Sequence, residues 1–249
     1  MKKRTYALVA CAIACMLLVQ VYWQYRSTAV FSAKSTVKPI YHVDTKEKKV
    51  AISFDAAWGA DQTETLLNIL DSYHVRATFF LVGFWVKNYP ELVKEIHARG
   101  YEIGNHSQNH PQMSKLTREA MLSEIRAVNE AVTALTGICP RVFRPPYGDY
   151  NDLLVETLRE EGMHAIQWSI DSLDWKEYGA KPLIERVLKK VEPGDIILFH
   201  NNAKYTPEAL PTILETLQQR GFDIVSISEL IYPEPYTVDV QGIQHPEKP

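Results

Sequence analysis

From Val50 to Ile227 the chain alternates short apolar runs with amphipathic stretches. That alternation restricts it to a parallel sheet, because parallel strands can be joined only by crossovers, and helices are the usual crossover. The apolar runs are Val50–Phe54, Ala77–Val82, Tyr101–Gly104, Arg141–Phe143, His164–Ile170, Asp195–Phe199 and Asp223–Ile227. Helical spacing of apolar residues recurs over Asp61–Tyr73, Tyr89–Ala98, Leu116–Thr136, Tyr150–Glu161, Pro182–Lys190 and Pro207–Arg220. Thr117 is placed to cap the longest helix at its start and Gly137 at its end. The pattern admits two closures, an open doubly wound sheet or a barrel. No phosphate-binding glycine-rich loop follows any strand, so no nucleotide is expected.

Composition narrows the class further. The 249 residues include 27 basic and 30 acidic side chains, a net charge of −3, which offers no broad electrostatic footprint for nucleic acid. A hydrophobic fraction of 46% excludes a disordered chain. At the N-terminus, Lys2, Lys3 and Arg4 precede an uncharged run, Thr5–Trp23, that is long enough to cross a bilayer. The basic cluster orients the start of the chain to the cytoplasm. The expectation is therefore a signal-anchor over residues 1–23, a stem over 24–48, a domain over 49–232 outside the membrane and a loose tail over 233–249. A cleaved signal peptide ending after Ala29, and hence a secreted domain, is the alternative; Tyr22, Trp23, Tyr25 and Arg26 favour the interfacial anchor. Cys11 and Cys15 lie in the apolar run, which leaves Cys139 alone and the outer domain without a disulfide.

Chemistry-bearing residues gather just past strand ends, where α/β sheets and barrels place their sites. Asp55 ends the first strand, His106 and His110 follow the third, and Arg144-Pro-Pro-Tyr-Gly148 follows the fourth. Asp171 and Asp174 follow the fifth, and His200 ends the sixth. The i, i+4 histidines can reach one metal ion, although Pro111 disfavours a helix there and predicts a loop. Trp175 beside Asp174 sets a sugar-stacking surface next to a polar group. A strand-end position suits His200 to general acid work.

Ser53-Phe-Asp55, His106-Ser-Gln-Asn-His110, Arg144-Pro-Pro-Tyr-Gly148, Asp171-Ser-Leu-Asp-Trp175 and Leu198-Phe-His200 resemble, in order, the five motifs of the NodB-type polysaccharide deacetylases, carbohydrate esterase family 4. The resemblance spans Val50 to Tyr232, and the plan is most similar to the PdaB-type sporulation members. It implies a distorted (β/α) barrel and metal-assisted removal of acetyl groups from a cell-wall glycan, peptidoglycan above all. It assigns Asp55 as general base, Arg144 as its orienting partner, His200 as general acid and Asp174 as the group that tunes it. It assigns His106 and His110 to a divalent metal, usually zinc, and Tyr147, Trp175 and Leu198 to substrate binding. One position departs: the residue after the base, a metal-binding Asp in the family, is Ala56, and the nearby Asp61 is better placed to start a helix. A catalytically impaired glycan-binding or spore-assembly protein is thus the alternative. A glycosidase built on Asp55 and Asp174 would leave the three histidines without a role.

Overall fold

The computed structural model describes residues 37–247; the expected anchor and the expected stem up to residue 36 lie outside them. Among the described residues no helix is long and apolar enough to cross a membrane.

Strand β2 (Lys49–Ala56) is the hub. Its residues pair in parallel with β3 (Thr78–Leu81), β8 (Ile196–His200) and β9 (Asp223–Val225). With β4 (Glu102–Asn105), β5 (Val142–Phe143), β6 (His164–Ala165) and β7 (Ile170–Asp171), these form an eight-stranded sheet ordered β6-β5-β4-β3-β2-β8-β7, with β9 against β2. Laid flat, β6 and β7 would stand roughly 29 Å apart, six spacings of about 4.8 Å. Only the segment 166–169 joins them, a step of at most about 17 Å. The sheet must therefore curl, which decides for the barrel-like closure over the open one.

The single fifth strand expected over His164–Ile170 is accordingly broken. Ile166 N–H still donates to Phe143 O, but Gln167 N–H turns to Ile40 O and Ser169 N–H to Ile196 O. The backbone changes partners at the seam of the barrel, and one apolar run supplies both of its edges.

Alternation along β2 sends Phe54 outward, where it stacks on its register partners Phe79 and Phe199 with ring centroids 4.9 and 5.7 Å away. These rings join Leu66, Leu70, Ile213 and Leu214 of the covering helices in the main core. Asp55 faces the opposite way, toward the barrel mouth. The long helix spans Arg118–Thr136, capped by the Thr117 side chain and closed by Gly137 at φ 76°, as its sequence predicts.

The expected stem and tail need correction from residue 37 onward. Strand β1 (His42–Val43) pairs with β11 (Ile243–Pro246), which pairs antiparallel with β10 (Tyr236–Val238). Ile40, Val43 and Gln244 are buried, and the Gln244 side chain bonds both N–H and C=O of Tyr232. Residues 233–246 are thus built structure, not a loose tail. Their proline content suggested otherwise, and their partners lie some 200 residues earlier in the chain.

His245 clasps this sheet between Asp44 (2.9 Å) and Asp239 (3.3 Å). The Asp44 hydrogen bond, aided by Asp239, raises its pKa against the opposing effect of burial. A raised folded-state value means that the stabilisation is complete below the ordinary histidine pKa, about 6.5, and is lost as pH rises through the folded value. Hydrogen-exchange protection of β11 amides is expected to fall over that interval, and a His245→Gln variant to show no such step. The effect is small because the groups are partly exposed.

Candidate active site

The sheet register brings the site together. Asp55 lies opposite His200 across β2 and β8, and Asn105, opposite Leu81 and Phe143, carries His106 just past the end of β4. Asp55, His106, His110, Tyr147, Trp175, Leu198 and His200 line one cavity of about 640 Å³ at the carboxyl ends of the strands. Arg144 and Asp174 are buried directly behind it. All nine residues expected from the sequence therefore meet at one place.

Two ion pairs organise the cavity. Arg144 Nη1 donates to Asp55 Oδ1 at 2.7 Å and Nη2 to Gln167 O at 3.1 Å. Its guanidinium lies 4.1 Å from the Phe80 ring centroid. Burial alone would raise Asp55, but the Arg144 charge and hydrogen bond, joined by the neighbouring His106 and His200 whenever they are protonated, outweigh it and hold the carboxyl below its ordinary value. Asp55 is thus an ionised acceptor at neutral pH, with Oδ2 free of the arginine.

On the other side, His200 Nδ1 lies 2.8 Å from Asp174 Oδ1. The carboxylate of Asp174 also accepts from His200 N–H, Thr206 Oγ1 and Trp175 N–H. A carboxylate so placed makes Nδ1 the protonated nitrogen and turns Nε2 to the cavity. Burial pulls the His200 pKa down, yet the Asp174 hydrogen bond and charge more than reverse it, and the net shift is upward.

The histidine pair occupies a loop, as Pro111 predicts. His106 Nδ1 donates to Arg144 O at 2.6 Å, because a carbonyl can only accept. Its Nε2 lone pair then faces Asp55 Oδ2 at 3.5 Å, acceptor to acceptor. His110 has a buried Nδ1 with no hydrogen-bond partner. Burial lowers the pKa of both, His110 to about 4, so both are neutral imidazoles at pH 7. Facing acceptors, neutral rings and a backbone bond on the far nitrogen of His106 are the chemistry of a cation site. These residues fit a divalent ion held by two nitrogens, one short of the three protein ligands that catalytic zinc takes. Among the described residues no group of three His, Cys, Asp or Glu side chains is arranged to hold a metal. Ala56 is fully buried, and Asp61 sits in the turn ahead of the helix Thr63–Ser72.

The loops that carry the site are held in costly conformations. Ser107, His110, Tyr147, Leu173 and Glu177 all have φ between 54° and 65°, a region that non-glycine residues enter only when their surroundings impose it. Local bonds do so here: Ser107 Oγ accepts from His110 N–H, and Asp171 Oδ1 from Leu173 N–H. Residues to which the sequence assigns no role at the site also appear at the cavity, namely Trp58, Trp168, Asn201 and Asn202. Thr206, which bonds Asp174, opens the helix after His200. The signal for Asn201 and Asn202 was their position directly after the His200 motif.

A barrel mouth with a carboxylate–arginine pair facing an aspartate–histidine pair sets a proton acceptor and a proton donor across one polar cavity. The Polysaccharide deacetylase family profile matches residues 42–166, and the chain belongs to that family. YlxY, an uncharacterized protein of Bacillus subtilis (strain 168), is 36% identical over 194 residues, 78% of this chain and 60% of YlxY. The chain thus spans less than two thirds of that relative's length. The peptidoglycan-N-acetylglucosamine deacetylase of Bacillus cereus is 35% identical over 196 residues, 77% of this chain and 92% of the enzyme. Among solved structures, the CE4 family pseudoenzyme BA3943 from Bacillus anthracis matches with a TM-score of 0.75 and 35% identity, over 77% of this chain and 68% of that one. A mutant of that pseudoenzyme with restored enzymatic activity matches equally well, at TM-score 0.75.

Proposed function

We propose that this chain removes acetyl groups from N-acetylated sugars of a cell-wall glycan, peptidoglycan being the substrate, outside the membrane to which residues 5–23 anchor it. The observation that carries this reading is the complete pair of proton-transfer dyads, Asp55–Arg144 and Asp174–His200, at one cavity. Asp55 takes a proton from a water molecule, whose oxygen attacks the acetyl carbonyl carbon. Backbone around Tyr147 faces the oxygen that gains charge. His200 acts as the imidazolium, its Nδ1–H held by Asp174, and gives its Nε2 proton to the amide nitrogen as the carbon–nitrogen bond breaks, which leaves acetate and a free amine. Trp175 and Leu198 hold the acetyl group. When bound by His106 and His110, a divalent ion such as zinc would polarise the carbonyl and acidify water. Relatives named as peptidoglycan deacetylases support the substrate class, and the PdaB-like plan supports a sporulation role.

Ala56 favours a second reading, a glycan-binding protein with impaired catalysis, and a CE4 pseudoenzyme among the similar structures keeps company with it. Acetate release decides between them. The full chain, given acetylated chitin oligomers or peptidoglycan with zinc, cobalt or nickel, is expected to release acetate above the uncatalysed blank; none from either substrate with any of these metals overturns the enzyme reading. Ala56→Asp is expected to raise divalent-ion affinity and the acetate rate together. Without metal the same variant melts at a lower temperature, because a carboxylate buried without a partner is costly, and added zinc restores it. Unchanged metal affinity would show that position 56 does not face the ion.

A further inference from the structure

Trp58 is an exposed tryptophan, 64% accessible, on a loop that cannot move freely. The Gly59 carbonyl accepts two side-chain donors, Trp85 Nε1 at 2.8 Å and Asn201 Nδ2 at 3.0 Å. Gly59 itself sits at φ 69°, against the side chain of Asn202, and Asn202 Oδ1 accepts from Gln62 N–H. The chain therefore leaves Trp58 along a fixed path.

The indole is fixed from below as well. Phe84 supports it at 6.1 Å between centroids, and the His110 ring meets it edge to face at 4.9 Å. Tyr147 packs on His110 in the same manner at 4.5 Å. Trp58 and Tyr147 thus flank one imidazole at the floor of the cavity, and Trp58 rises from it as a wall. An aromatic face held rigid and left in water beside a reacting centre loses nothing further in conformational freedom when a ligand covers it. The C–H face of a pyranose is the apolar surface of matching size, and Asn202, also lining the cavity, offers an uncharged amide to the sugar hydroxyls.

We propose that Trp58 is a substrate-stacking residue: its indole face takes a pyranose ring of the bound glycan and so helps set which sugar chains the groove accepts. This rests on the glycan reading above and adds a wall to the groove besides Tyr147 and Trp175.

The test is a calorimetric titration of the full-length protein with the tetramer of β-1,4-linked N-acetylglucosamine. Trp58→Ala is expected to weaken binding roughly tenfold, a loss of the size that aromatic stacking contributes. Trp58→Phe, which keeps a ring, should stay within about threefold of wild type. Melting temperatures of both variants serve as the folding check, since so exposed a side chain adds little to the core. Trp58→Ala binding as tightly as wild type overturns the inference and leaves the deacetylase reading standing. Wild-type protein that binds the tetramer, loses it in Trp58→Ala and releases no acetate supports the inference and removes the catalytic reading. Folded wild type that binds neither this tetramer nor peptidoglycan fragments overturns both.

Discussion

Arg144→Ala is expected to lower the stability of the domain by about 3–5 kcal/mol, the usual penalty for leaving one member of a buried ion pair without its partner. Arg144 is entirely buried and Asp55 nearly so, and among the described residues no other arginine or lysine bonds the Asp55 carboxylate. Without the guanidinium, burial would act on Asp55 with less to oppose it and push its pKa up, which favours the protonated form that cannot act as a base. The lost stacking on Phe80 adds to the effect. Chemical denaturation measures it. The double replacement Arg144→Met with Asp55→Leu should recover much of the loss, because apolar residues of similar volume remove both charges together. A loss below about 1 kcal/mol for Arg144→Ala would mean that water reaches the pair.

His200→Ala is expected to behave in the opposite way, with a rate lower by about 10²–10⁴-fold, the usual contribution of a positioned acid or base, and a nearly unchanged melting temperature. His200 is partly exposed, and Asp174 would still accept from the backbone N–H groups of residues 175 and 200 and from Thr206 Oγ1. The buried carboxylate is therefore not orphaned when the imidazole goes. The fall should appear in kcat more than in KM, since the proton is delivered as the bond breaks. An undiminished acetate rate would remove His200 from proton delivery.

The contrast between these residues bears on what could be read from the chain. The strand-end positions of Asp55, His106, His110 and His200 were legible because a parallel sheet places its reactive groups at carboxyl ends. The five ordered motifs made their family legible as well. Trp58 follows the first motif with no role attached to it, because its meaning depends on two long-range bonds to Gly59 O that hold an exposed ring above His110. The broken fifth strand was hidden for the same reason: Gln167 N–H pairs with Ile40 O, and periodicity reports which face a residue prefers but not which strand it bonds.

By itself, then, the sequence determined the parallel architecture, the capping of the long helix by Thr117 and Gly137, and the cast of polar residues at the strand ends. These follow from local periodicity and local hydrogen bonding, which neighbouring residues settle among themselves. Periodicity left the closure open and the five-motif resemblance implied a barrel; the tertiary structure set its seam between Ala165 and Ile170, and only that structure decided the capture of β11 by His42 and Val43. The Arg144–Asp55 pairing, which the motif resemblance implied, took its geometry across 89 residues from the tertiary structure as well. Each of these depends on contacts between distant segments, where backbone groups and charges removed from water must be paired wherever the fold brings them.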